Sequence, residues 1–168
     1  AIQAQTANQN TVKLTYSNDP TNDASTGSVS DSANVYSYQF VFTKFAQDTN
    51  GVLTNVRLAG AKFQLYRVVE GQADELIRFT TESATNNEGI AFNKYIVAED
   101  DATDTVDTLV AQDKGAPTIT LDHLNLGGHL GDVFIFGLAE GTYKLVETTA
   151  PDGYVLPTEP FVIEIEDE

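Results

Sequence analysis

Cysteine, methionine and tryptophan are all absent from the 168 residues. Without cysteine there is no disulfide, no thiolate metal site and no cysteine nucleophile. A β-rich chain working outside the cell would therefore have to gain durability in some other way. Positive charge is also scarce: nine Lys plus Arg stand against twenty-five Asp plus Glu, a formal net charge of −16. Nucleic acid and anionic membrane surfaces both require clustered positive charge, so neither is an expected partner. Two histidines leave little material for common catalytic sites. No apolar run approaches the roughly 20 residues of a membrane span. There is no initiating Met and no signal segment, so the chain reads as a mature fragment of something longer.

What remains is ordinary apolar content distributed as short alternating runs. Residues 1–9 are polar and read as a tail. Asn10, Val12, Leu14 and Tyr16 alternate with Thr11, Lys13 and Thr15, which predicts a half-buried strand. Ser17 to Ser32 is rich in Ser, Asn, Asp, Thr and Gly and reads as a long loop or linker. Val35 to Phe45 carries the strongest strand pattern, with Tyr36, Tyr38, Phe40 and Phe42 on one face. Gln47 to Gly60 reads as a turn-rich connection. Ala61 to Val69 and Leu76 to Thr81 read as a hairpin, and Ile90 to Val97 as a further strand. Thr118 to Leu126, Asp132 to Leu138 and Pro160 to Glu166 complete a count of eight or nine short strands. No amphipathic helix is apparent. That pattern predicts an all-β sandwich.

Two charged residues fall on apolar faces. Lys44 is the next residue in register after the aromatic row of Tyr36 to Phe42. It either continues that row inward or snorkels to water from the strand end. Glu147 shares a strand face with Tyr143 and Leu145. It either lies on a partly exposed strand of mixed faces or is a buried acid that must be neutral, paired or at work. The acidic positions Asp100, Asp101, Asp104 and Asp107 lack the glycine and the terminal Glu of an EF-hand loop, and read as a solvated segment. His123 and His129 flank Gly127-Gly128 without metal-ligand spacing or a nearby triad serine, and read as structural or exposed. No metal and no cofactor are expected.

The run Gly137-Leu138-Ala139-Glu140-Gly141-Thr142-Tyr143-Lys144-Leu145-Val146-Glu147-Thr148-Thr149-Ala150-Pro151-Asp152-Gly153-Tyr154 is a glycine turn, a strand and a second turn. It resembles the E-box of Cna B-type domains, the pattern G-L-x-x-G-x-Y-x-L-x-E-x-x-A-P-x-G-Y, at every named position. Leu58-Ala59-Gly60-Ala61-Lys62-Phe63-Gln64-Leu65-Tyr66, following Phe42-Thr43-Lys44, resembles the start of the same domain. These immunoglobulin-like modules occur in Gram-positive surface adhesins and sortase-assembled pilins. Asn10 to Pro20 is similar to the segment that closes the preceding domain in backbone pilins. The resemblance therefore implies that 1–33 is the closing strand of a preceding pilin domain plus a linker. By the same resemblance, 34–168 is a Cna B-type domain with a long insertion, lacking its final strand.

In that family a lysine of the first strand is joined to an asparagine of the last by an isopeptide bond, promoted by the E-box glutamate. By position, the resemblance makes Lys44 the nucleophile and Glu147 the promoter. Apolar surroundings favour the uncharged forms that such chemistry needs, a neutral amine beside a protonated acid. The family's acceptor usually lies on a strand after Phe161 to Ile165, and is expected to be absent from this chain. Asp167, which has the right parity, and Asn10 are the in-chain alternatives. The implied function is a structural pilus subunit, extracellular and anchored to the cell wall. Its partners would be neighbouring pilin subunits joined by sortase, and its chemistry single-turnover rather than enzymatic. A rival reading is an adhesive module that binds a host protein or glycan through the insertion from about Glu99 to Leu130. A carboxylate-pair glycosidase finds no cleft-like constellation in the sequence.

Overall fold

The computed structural model describes residues 3–17, 26–86, 88–116 and 128–166, with side chains from residue 38 onward. Twelve strands and no helix run through the described residues. They are β1 (Gln3–Ser17), β2 (Thr26–Thr43), β3 (Phe45–Gln47), β4 (Leu53–Arg57), β5 (Lys62–Arg67) and β6 (Glu75–Leu76). There follow β7 (Phe79–Thr85), β8 (Ala91–Val97), β9 (Leu109–Val110), β10 (Asp132–Leu138), β11 (Gly141–Thr149) and β12 (Phe161–Ile165). One sheet has the order β1-β2-β10-β8-β7. The other has the order β12-β11-β5-β6, with β9 also pairing β5, and β3-β4 forms a separate two-stranded ribbon. The pairing is antiparallel except between β10 and β8, which run parallel. The chain is an all-β sandwich of immunoglobulin-like kind, as its alternating runs predict.

Alternation puts every second side chain of a strand on one face. Tyr38 of β2, Val133 and Ile135 of β10, and Phe79 of β7 come from the first sheet. Phe63 and Leu65 of β5, Tyr143 and Leu145 of β11, and Ile165 of β12 come from the second. All are buried in one continuous core, with Phe40 and Phe42 packed against it. The rings of Phe42 and Phe63 meet across the interlayer space edge to face, centroids 5.0 Å apart at 84°. That arrangement suits the aromatic quadrupoles.

Several local expectations are corrected. β1 starts at Gln3 rather than Asn10, and β2 starts at Thr26, inside the stretch read as a loop. The reason is that β1 and β2 pair over a long antiparallel register, from Gln3↔Gln39 to Ser17↔Thr26. A backbone ladder does not need apolar side chains. The connection after Gln47 contains β4, which folds back on β3. The expected hairpin of Leu76 to Thr81 is short: only Glu75 and Leu76 pair with β5. The chain then crosses to the other sheet, where Phe79 pairs with Val97. Burying Phe79 against Tyr95, centroids 6.2 Å apart, accounts for the crossing. The beginning of the supposed insertion is fastened down too. Phe79 and Val106 exchange backbone hydrogen bonds of 2.8 Å in both directions, and Leu109 and Ala111 are core residues. The strand expected at Thr118 to Leu126 lies outside the described residues.

Burial raises the phenol pKa of both Tyr95 and Tyr143 above the ordinary tyrosine value. The folded protein then holds these protons more tightly than the unfolded chain does. Their contribution is fully present below about pH 10 and is lost as pH rises through the folded pKa. Thermal melts are therefore expected to fall in alkali, and the double variant Tyr95→Phe/Tyr143→Phe to fall less steeply above about pH 10. An unchanged slope in the double variant would assign the alkaline loss to other groups.

Candidate functional site

The inward row of β2 runs Tyr38, Phe40, Phe42, and the next residue in that register is Lys44. The ladder breaks there, because β2 ends at Thr43 and β3 begins at Phe45. Lys44 is nevertheless fixed. Its N–H donates to the Gly131 carbonyl at 2.9 Å, and its own carbonyl accepts from the Leu58 N–H at 2.9 Å. On the facing sheet the inward row of β11 is Tyr143, Leu145 and Glu147, and all three are buried. Glu147 sits opposite Phe63 in the β11–β5 ladder.

The two rows meet at their charged ends. Lys44 Nζ donates to Glu147 Oε2 at 2.9 Å. The glutamate side chain is 0% exposed and the lysine side chain 19%. Of the two readings open for each residue, both take the inward one. The Phe42–Phe63 pair, two residues along from Lys44 and across the ladder from Glu147, lies alongside this contact. Water is thus excluded on that side. The second carboxyl oxygen, Glu147 Oε1, is buried with no hydrogen-bond partner among the described residues. Leaving such an atom unsatisfied costs about 1–3 kcal/mol. The site therefore has one acceptor position open, next to an amine held in place.

An amine and a carboxyl group at this separation can pass a proton in either direction. No group of three or more metal-ligating side chains occurs among the described residues. An open groove of about 720 Å³ reaches Lys44 from the surface. Its walls include Leu53, Tyr154, Val155, Leu156 and Phe161, all exposed apolar residues.

The remaining sequence candidates lie elsewhere. Asn10 is opposite Ala33 in the β1–β2 ladder, toward the far end of β2 from Lys44, so the structure does not bring the two together. Asp167 and His123 fall outside the described residues. His129 is buried, and its backbone N–H donates to Asp132 Oδ2 at 3.1 Å. Asp100, Asp101, Asp104 and Asp107 are exposed, as a solvated segment should be.

Sequence reasoning missed a second polar cluster beside the first. Asp132 Oδ1 accepts from Arg57 Nη1 at 2.8 Å and from Thr43 Oγ1 at 2.6 Å. Arg57 and Asp132 are both buried. The only signal was an acid at the head of an apolar run, and nothing in the sequence ties it to an arginine so far away.

No curated protein matches the chain. Residues 39–168 match the family model described as SpaA, prealbumin-like fold domain, and this stretch holds Lys44, Glu147 and both halves of the core. The chain belongs to the SpaA prealbumin-like fold domain family.

Proposed function

We propose that this chain is a structural module of a Gram-positive pilus, locked by an amide bond that Lys44 forms with a side-chain carboxamide and that Glu147 promotes. Domains of this family are found in Gram-positive pilin proteins, which makes a surface-protein module the family-level reading. The observation that carries the finer one is the 2.9 Å contact between Lys44 Nζ and a wholly buried Glu147 with an open second oxygen. Few structural needs explain a lysine and a glutamate turned into an aromatic core. An amide-forming centre needs both.

In the proposed reaction the amine of Lys44, once neutral, attacks the carboxamide carbon of an asparagine. Glu147 in its acid form donates to the carbonyl oxygen, relays the proton released by Nζ to the leaving nitrogen, and recovers its own proton from the oxygen as the carbonyl re-forms. The new C–N bond forms, the old one breaks, and ammonia departs carrying the proton that Nζ gives up. Folding alone brings the groups together, and positioning of this kind supplies much of the rate. The reaction turns over once, so the protein is not an enzyme. The acceptor is proposed to arrive on an added strand through the groove, covering Leu53, Val155 and Phe161. Asp167 remains the in-chain alternative, with water as the leaving group.

The bond would give a cysteine-free extracellular chain its durability, and unlike a disulfide it resists reduction. Neighbouring pilin subunits, joined by sortase, are the proposed partners. Intact mass tests the reading on the native polypeptide that carries this chain. A mass lower by one ammonia supports an asparagine acceptor and one lower by one water supports Asp167. An unshifted mass contradicts the proposal.

A further inference from the structure

The Arg57–Asp132 ion pair is buried at both ends, at 8% and 6% exposure, and plays no part in the proton transfers just described. Buried ion pairs are often no better for stability than apolar residues of the same size, so their geometry deserves the closer look. Two of the contacts this pair makes lead to the residues flanking Lys44, while Asp132 Oδ2 also accepts from the His129 backbone N–H at 3.1 Å. Asp132 Oδ1 accepts from the hydroxyl of Thr43, the residue before the lysine. The Arg57 guanidinium lies over the ring of Phe45, the residue after it, 5.8 Å from the centroid. Arg57 Nη1 also donates to the Leu130 carbonyl at 3.2 Å.

The main chain of Lys44 is bonded to the sequence neighbours of the same two residues. Gly131, next to Asp132, accepts from its N–H, and Leu58, next to Arg57, donates to its carbonyl. The approach is close enough to require glycine at 131. Its φ is +80°, and a Cβ there would stand 3.0 Å from the Lys44 carbonyl oxygen and 3.0 Å from that of Leu58. Segment 43–45 is thus held at its hydroxyl, its ring and both main-chain polar groups of its central residue. It is held so just where the β2 ladder stops supporting it.

We infer that Thr43, Arg57 and Asp132 form a clamp that positions Lys44 for amide formation. None of the three touches the reacting atoms. They fix the lysine Cα and so the line along which Nζ reaches Glu147 and the acceptor. A long, flexible side chain projecting from a strand break would otherwise sample many directions. A displacement of about 1 Å at a reacting atom is enough to slow a reaction by on the order of a hundredfold. This inference rests on the cross-linking role of Lys44 and adds the residues that set its rate.

The test compares amide formation, by intact mass over time, in the polypeptide form in which the wild type reacts. Thr43→Val removes one bond of the clamp and leaves the ion pair. It is expected to slow the reaction by about tenfold, and Asp132→Asn by up to about a hundredfold. Rates are read at a temperature where circular dichroism shows each variant fully folded. Thr43→Ser, which restores the hydroxyl, should return the wild-type rate. In parallel, acetylation by an N-hydroxysuccinimide ester reads the amine of Lys44 in this chain before any bond forms. The modification should be faster in folded Thr43→Val than in the wild type. If the wild type reacts and the folded variants keep its rate, the clamp is overturned alone. If the wild type forms no amide, the cross-linking reading fails first and the rate-setting role goes with it. Slow reaction in Thr43→Ser as well would overturn the hydroxyl's part.

Discussion

Glu147→Ala is expected to leave Lys44 as a free amine in a protein that still folds. Among the described residues the glutamate is the acid paired with Nζ, at 2.9 Å, and its side chain is sealed from solvent. A positioned acid–base group is typically responsible for about 10²–10⁴ in rate. Its loss should slow bond formation by a factor of that order. Glu147→Gln, which keeps the shape and loses the titrating proton, should behave almost as badly. Full bond formation in either variant would remove Glu147 from the chemistry. The unbonded variants should also be less stable. By analogy with a disulfide, closing a loop of about a hundred residues contributes about 4–5 kcal/mol. Denaturant midpoints of bonded and unbonded protein would read that difference.

Phe63→Ala is the substitution expected to cost most without touching a charge. Phe63 is 2% exposed, meets Phe42 edge to face and lies across the ladder from Glu147. Removing a buried phenylalanine side chain destabilises by about 3–5 kcal/mol, from lost transfer energy and the cavity left behind. The chevron or denaturant midpoint should fall accordingly with little change in slope. As a control, Val162→Ala on the exposed face of β12 should stay within about 0.5 kcal/mol. The cavity has a second consequence. Water admitted beside Glu147 would solvate the carboxyl group, so bond formation in the folded variant should slow as well. A Phe63→Ala protein of wild-type stability would contradict the placement of the core.

The register of Lys44 and Glu147 with apolar rows was legible because a strand has a period of two. Once Tyr38, Phe40 and Phe42 are assigned to the core, Lys44 falls on their face, and what stayed open was whether it continued inward or snorkelled to water. Tyr143 and Leu145 did the same for Glu147. Periodicity reports a face, however, and not a partner. It could not say that the β2 ladder stops at Thr43, since that depends on Gly131 and Leu58 capturing the backbone of Lys44. Nor could it pair Arg57 with Asp132, because neither shows its contact through any local pattern. Parity also overreached at the far end of the chain. Phe161, Ile163 and Ile165 share a face as expected, yet Phe161 is 51% exposed while Ile165 is buried. β12 is an edge strand among the described residues, and only its end nearer Gly141 lies over the core.

The stretch around Phe79 failed for a related reason. Leu76 to Thr81 has the composition of a returning hairpin strand, and its first residue does pair with β5. What sends the rest to the other sheet is the volume of Phe79 and the bridge to Val106, both long-range in origin. Propensity is decided locally, but sheet membership is decided by the core.

The chemical state of one nitrogen tests the account most directly. Trypsin cannot cut after a lysine whose side-chain amine is bonded, so digestion of the native protein should yield a branched peptide. One arm would contain Lys44 with its flanking Thr43 and Phe45, and the other the acceptor residue, as read by tandem mass spectrometry. Cleavage after Lys44 in full yield, releasing a linear peptide that ends in an unmodified lysine, would contradict it.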